Sequence, residues 1–146
     1  MYVFGGWNGK DYYNDLHILD LEIMAWKRAA PSGPAPSPRQ GHASILIGNN
    51  LIVHGGYKQQ VEALKNSGLL MGTPLATSYL NDIRVLDTEQ LVWSRLRISG
   101  YPPDARYGHT FNISGSDIIL FGGWTNLSGN KATHATEKMQ GSCEFF

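Results

Sequence analysis

Residues Arg39–Tyr57 read RQGHASILIGNNLIVHGGY, and Arg106–Trp124 read RYGHTFNISGSDIILFGGW. In the first stretch the apolar runs Ser44–Ile47 and Asn50–His54 flank Gly48-Asn49, a hairpin signal. In the second, Phe111–Ile113 and Asp117–Phe121 flank a Ser-Gly-Ser turn. The run Ile118–Phe121 is apolar throughout, as a strand covered on both faces requires. Each stretch therefore predicts a β-hairpin that ends in a diglycine.

Working outward, a shift of 67 positions aligns residues 14–56 with 81–123 without a gap, and 17 of the 43 positions are identical. That level of agreement means duplication, and self-similarity at a fixed period governs every later reading. A third, partial copy opens the chain: Met1–Gly6 (MYVFGG) matches Leu51–Gly56 (LIVHGG) and Ile118–Gly123 (IILFGG). An aromatic follows each diglycine, namely Trp7, Tyr57 and Trp124. The first two diglycines lie 50 residues apart and the next two 67, so an insertion at roughly 58–78 accounts for the difference. After each hairpin a third strand (Leu16–Leu21, Ile83–Leu86) leads through a short turn to a fourth around Trp26 or Trp93. Four strands per unit at a period near 50 predict an all-β fold of four-stranded antiparallel propeller blades.

The unit resembles the kelch repeat. That family's pattern runs from Arg through Gly-His and a hairpin to Gly-Gly, then to a third strand closing on Asp, with Trp six residues later. Arg39, Gly41-His42, Gly55-Gly56, Asp87 and Trp93 meet it, as do Arg106, Gly108-His109, Gly122-Gly123, Asp20 and Trp26, with Gly5-Gly6 in the partial copy. The resemblance covers residues 1–123 almost completely. Leu19 and Leu86 stand where many members carry Tyr, and Ser-Gly-x-x-Pro precedes each Arg. Those features are similar to the subgroup of host cell factor and polarity-scaffold proteins, less so to the ubiquitin-ligase adaptors. The resemblance implies a protein-binding module without catalytic activity.

Elementary chemistry gives the repeated residues structural work. A diglycine suits backbone that turns with positive φ or packs closely. Trp26 and Trp93 are expected to fill the gaps between neighbouring blades. Arg39 and Arg106 carry enough donors to serve buried carbonyls at blade junctions, and Asp20 and Asp87 can accept from turn amides. His42 and His109 recur beside Arg with no Cys or carboxylate at ligand spacing, so they read as packing or hydrogen-bonding histidines. His17, His54 and His134 have no matching copies.

On this pattern, residues 1–30 supply strands two to four of one blade, 38–97 a complete blade with the inserted loop 58–78, and 105–146 the first half of a further blade. The third strand of that last blade is expected near Cys143. Propellers close with about four to eight blades, so the ring is incomplete, and further blades or another chain are expected to cover the open blade faces.

Twelve basic residues balance twelve acidic ones, and no basic stripe points to nucleic acid or an anionic membrane. No apolar run approaches the roughly eighteen residues of a membrane helix. The start lacks the pattern of a secretory signal, and the single Cys143 has no disulfide partner within the chain. A reducing compartment, cytoplasmic or nuclear, is the expected location, which leaves the sequons at Asn112 and Asn126 without a role. No nucleophile elbow, phosphate loop, paired-carboxylate or metal-ligand motif is present, so neither cofactor nor metal is expected.

Strands of a meander alternate in direction, so the loops between strands two and three and between strands four and one emerge on one face. That face collects the long aromatic loops, where binding residues concentrate. Trp7, Tyr12, Tyr57, Lys58, Tyr101 and Trp124 are the candidate partner contacts, aromatic anchors with a cation nearby. The periodic Trp7, Tyr57 and Trp124 have a structural reading as well. In the insertion, Val61, Leu64 and Leu69 offer either an apolar stripe on a short helix or a loop folded onto its own blade. Taken together, the sequence predicts an interaction module of a scaffold or adaptor. The alternative is the propeller part of a larger enzyme, such as a phosphatase fusion, with its chemistry outside this chain.

Overall fold

A computed structural model describes residues 1–59, 77–125 and 136–139. Strands β1 (Tyr2–Trp7), β2 (Tyr12–Asp20) and β3 (Ala25–Ala29) form a three-stranded antiparallel sheet, blade 1. The next hairpin is β4 (Ala43–Ile47) and β5 (Asn50–His54), after which β6 (Tyr57–Gln59) and β7 (Thr77–Tyr79) pair as the stem of the insertion. Strands β8 (Ile83–Asp87) and β9 (Val92–Arg95) then complete a four-stranded sheet in the order β4-β5-β8-β9, blade 2. A short β10 (Arg106–Tyr107) precedes the hairpin β11 (Thr110–Ser114) and β12 (Asp117–Phe121). It pairs with β13 (Trp124–Thr125) beyond that hairpin. The last strand, β14 (Thr136–Met139), pairs antiparallel with β12, giving the sheet β11-β12-β14, blade 3.

The chain is thus all-β among the described residues, a partial kelch-type propeller. The third strand of blade 3 lies at Thr136–Met139, ahead of Cys143 where the sequence places it. Cys143, His134, Asn126 and the apolar positions Val61, Leu64 and Leu69 lie outside the described residues.

Register repeats with the sequence. Ala43 faces His54 and Thr110 faces Phe121; Leu19 faces Trp26 and Leu86 faces Trp93. The turns after the third strands are built alike. The Asp20 carboxylate accepts from the Glu22 and Ile23 amides, and Asp87 from those of Glu89 and Gln90, as the sequence predicts. Each turn ends in a left-handed residue, Met24 or Leu91, both at φ 54°.

The core lies between blades rather than within them, because a single sheet has nothing to bury its faces against. Phe4, Leu16 and Ala29 of blade 1 pack with Leu51, Val53, Leu86 and Trp93 of blade 2. The alternate residues of the same strands, Ile52, Ile83 and Val85, pack with Phe111, Ile118 and Leu120 of blade 3. This two-sided burial is why the central strands read as continuous apolar runs.

Trp93 fills its seam as predicted, at 2% exposure and edge-on to Phe4 with ring centroids 5.1 Å apart. Trp26 does not: it is 57% exposed. Its ring projects from the far side of blade 1, where none of the described residues forms another blade. The repeat sets its orientation, but among the described residues no sheet packs against it.

The segment joining blades 1 and 2 forms a strap along β9. The Ser32 amide donates to the Leu91 carbonyl at 2.9 Å, and the Trp93 amide to the Ser32 carbonyl at 2.8 Å. Gly33 sits at φ +82°, where a Cβ would lie 2.2 Å from the Trp93 carbonyl oxygen. The repeated Gly100 has φ +83° but nothing within 4 Å of such a Cβ. Gly33→Ala is therefore expected to cost about 2–4 kcal/mol, combining backbone strain and a forced strap shift, and Gly100→Ala only about 1 kcal/mol. Urea unfolding of the two variants checks this, and equal costs would contradict the strap geometry.

Candidate partner-binding face and the seams beneath it

The diglycines let blades approach closely. A Cβ on Gly55 would lie 2.7 Å from the Arg106 carbonyl oxygen and 2.8 Å from the His109 ring, both of blade 3. The Gly56 amide donates to that same carbonyl at 2.8 Å, and Gly6 repeats the bond to the Arg39 carbonyl at 2.9 Å. A side chain at Gly55 would push this seam apart, whereas a Cβ on Gly6 would meet nothing within 4 Å.

Arg39 and Arg106, each 1% exposed, serve carbonyls at these junctions as expected. Arg39 donates to the carbonyls of Ser37 (3.0 Å) and Gly55 (2.9 Å), and Arg106 to those of Asp104 (3.0 Å) and Gly122 (3.1 Å). Sequence reasoning misses one further partner. The guanidinium of Arg39 grips both carboxylate oxygens of Asp82, at 2.7 and 3.0 Å, and Arg84 adds a third contact at 3.2 Å. Burial pushes the Asp82 carboxyl up, but the two arginines outweigh it and hold its pKa below the usual carboxylate value. Asp82 is one of the seventeen repeated positions, so the signal was present without a partner assigned to it.

The two repeated histidines lie in the seams, each against the residue that precedes a diglycine in the neighbouring blade. His42 packs edge-on to Phe4 at 5.5 Å, and His109 edge-on to His54 at 4.9 Å. In the second seam the contact is also a hydrogen bond, His54 Nδ1 to His109 Nε2 at 2.9 Å. Sequence comparison leaves His54 without a role. The missed signal is that Phe4, His54 and Phe121 occupy one aromatic slot of the repeat. Burial lowers the His54 pKa to about 3, helped by His109 and the Arg106 charge. It lowers that of His109 to about 4, with Arg106 and His42 contributing. Both rings are neutral at physiological pH. Among the described residues no cluster of three or more His, Cys, Asp or Glu is arranged to hold a metal ion.

Above the seams the loop-bearing face carries a run of aromatic rings. Trp7 stacks on Tyr12 with centroids 6.3 Å apart, and Tyr12 meets Tyr57 at 5.9 Å. Tyr57 continues to Tyr79 (5.8 Å) and Tyr107 (5.7 Å), which meet each other at 5.1 Å. The run crosses all three blades. Burial, with Tyr57 adjacent, raises the Tyr12 pKa, and burial with Tyr107 and Tyr57 adjacent raises that of Tyr79. Both phenols therefore remain protonated donors. Lys58 is half-buried in β6, opposite Ser78.

Of the six sequence candidates, the structure brings Trp7, Tyr12 and Tyr57 into one strip, and Lys58 follows Tyr57 on the insertion stem. Trp124, about half exposed, faces Tyr107 in the β10–β13 register. Tyr101 stands apart, fully exposed on the segment between β9 and β10. Tyr79 and Tyr107 join the strip without having been singled out: Tyr79 repeats Tyr12 at the 67-residue shift, a signal that was missed, whereas Tyr107 stands where the other copy has Gln40. The periodic aromatics divide their roles. The Tyr57 backbone exchanges hydrogen bonds with Gln40 at 2.9 and 3.0 Å, which is structural, while its ring belongs to the strip.

A family model described as the KLHDC2/KLHL20/DRC7 Kelch-repeats domain matches residues 1–123. Tip elongation aberrant protein 1 of Schizosaccharomyces pombe is 40% identical over 124 residues, covering 84% of this chain and 10% of that protein. The Rab9 effector protein with kelch motifs of Homo sapiens is 32% identical over 132 residues, covering 90% of this chain and 31% of that protein. The Rho GTPase-activating protein gacHH of Dictyostelium discoideum is 34% identical over 132 residues, 89% of this chain and 8% of that protein. The chain thus spans less than a third of each of these relatives.

Proposed function

Because the chain belongs to the kelch-repeat family, whose repeats mediate protein–protein interaction, we propose that it is a non-enzymatic scaffold or adaptor module. It binds protein partners through the loops between strands two and three and between strands four and one. The observation that carries this reading is the aromatic strip from Trp7 to Tyr107, a continuous run of large rigid rings on the loop-bearing face. Such rings supply contact area at small entropic cost and dominate protein interfaces. The identity to a tip-elongation protein supports the polarity-scaffold subgroup, and a cytoplasmic or nuclear location is part of the same proposal.

Affinity capture with identification by mass spectrometry tests the face. Trp7→Ala combined with Tyr57→Ala is expected to reduce captured partner at least tenfold, since each anchor contributes on the order of 1–2 kcal/mol. Ile23→Ala, on a turn at the opposite face, is expected to leave capture unchanged. Equal capture by all three proteins would remove the assignment.

A further inference from the structure

Arg39, Arg84 and Asp82 form a cluster of two cations and one carboxylate beside the segment that joins blades 1 and 2. Arg39 grips both oxygens of Asp82, and Arg84 shares one of them at 3.2 Å. Arg84 also donates to the Pro34 carbonyl at 2.8 Å, and Arg39 Nη2 to the Ser37 hydroxyl oxygen at 3.2 Å. The cluster thus carries one positive charge beyond what Asp82 neutralises, and Ser37 lies directly against it.

The segment at that point reads Pro34-Ala-Pro-Ser-Pro38. Its prolines have no N–H to donate, and the Ala35 amide bonds within its own turn, to the Gly33 carbonyl at 2.9 Å. Side chains hold its carbonyls instead: Arg84 that of Pro34, Asn14 that of Pro36 and Arg39 that of Ser37. Pro36 is buried as the anchor, whereas Ser37 is half-buried and Pro38 exposed. The Ser-Pro dipeptide is therefore open to an enzyme that reads a hydroxyl followed by proline.

The repeat supplies a second observation. Asp104 stands where the other copy has Ser37. The backbone is built alike at both positions, since Arg39 Nε donates to the Ser37 carbonyl and Arg106 Nε to the Asp104 carbonyl, each at 3.0 Å. The same frame carries an anionic side chain beside its buried arginine in one copy and a neutral hydroxyl in the other.

We propose that Ser37 is a phosphorylation site for a proline-directed protein kinase, and that Arg39 and Arg84 receive the phosphate. In the transfer the Ser37 Oγ attacks the γ-phosphorus of ATP. The new O–P bond forms as the bond from that phosphorus to the β,γ-bridging oxygen breaks, the hydroxyl proton passes to the kinase's catalytic carboxylate, and ADP leaves. The product adds a charge of about −1.5 to −2 and three acceptor oxygens where a cation is in excess, which is how a phosphate orders a segment against arginines. The site does not depend on the aromatic strip, so either can fail without the other.

The 146-residue chain incubated with ATP and a kinase of the cyclin-dependent class, with sites mapped by mass spectrometry, tests the first half. Thr73-Pro74, outside the described residues, is the other Ser/Thr-Pro pair in the sequence. Phosphate is expected on Ser37, retained in Thr73→Ala and lost in Ser37→Ala; label confined to Thr73, or none on Ser37, would overturn the proposal. Phosphorus NMR of the phosphorylated chain tests the second half. Phosphoserine ordinarily loses its second proton near pH 6. Two neighbouring arginines favour the dianion, so the midpoint is expected at least about half a unit below that of the phosphorylated peptide 32–40. Arg84→Gln, which leaves the Arg39–Asp82 grip in place, should return it at least halfway. The same midpoint in chain and peptide would show that the arginines do not hold the phosphate.

Discussion

Trp93→Ala is expected to destabilise the chain by about 3–5 kcal/mol, and Trp26→Ala by less than about 0.5 kcal/mol, although the two occupy the same position of the repeat. Trp93 is buried against Phe4, Leu16 and Ala29 of the neighbouring blade, so truncation loses its transfer energy and leaves a cavity in a seam closed on both sides. Trp26 faces none of the described blades, so its removal uncovers little that was not already in water. Urea unfolding followed by far-ultraviolet circular dichroism measures both without relying on tryptophan emission. Similar losses would mean that Trp26 is covered in solution.

The contrast marks how far the sequence could be read. Strand order, register and the roles of Asp20 and Asp87 follow from local signals: alternating runs, turn residues, and a period that fixes which positions correspond. Burial between blades does not follow from the repeat alone, because it depends on which neighbours are present. Trp26 and Gly100 keep the residue type and backbone of Trp93 and Gly33 without their surroundings. The aromatic strip was half legible for a related reason. Trp7, Tyr12 and Tyr57 stand out in the loops and Tyr79 repeats Tyr12 at the 67-residue shift, but Tyr107, which repeats Gln40, joins them only once the start of blade 3 meets the insertion stem. Two residues distant in sequence can also change each other's meaning. His54 is unremarkable until the seam sets it against His109, and Asp82 until Arg39 reaches it across 43 positions.

That histidine pair should make the chain acid-sensitive well above the range in which carboxylates titrate. In the unfolded chain each histidine binds a proton near pH 6.5. In the folded chain His54 does so only at about 3 and His109 at about 4. Between those values the unfolded state holds more protons, so stability is complete above about pH 6.5 and falls as the pH drops through the window. At pH 5 the gap amounts to about 2 kcal/mol for each ring, or about 4 kcal/mol if they act independently. The groups around the pair do not cancel this. Arg106, Arg39 and His42 oppose protonation, and only Asp82 favours it. Asp82 itself titrates below the usual carboxylate range, so its own contribution is lost only at lower pH. Replacing His54 with Phe installs the residue found in the same slot as Phe4 and Phe121, and the Phe4–His42 seam shows that such a contact packs. His54→Phe is therefore expected to shift stability at pH 7 by no more than about 1.5 kcal/mol, the net worth of the lost hydrogen bond. It is expected to remove about half of the pair's share of the loss between pH 7 and pH 5, to which His42, its pKa also lowered by burial, adds in both proteins. Urea midpoints at half-unit pH steps provide the measurement. A wild-type midpoint that stays level from pH 7 to pH 5, or a His54→Phe variant as acid-sensitive as the wild type, would show that this seam does not hold two neutral, buried rings.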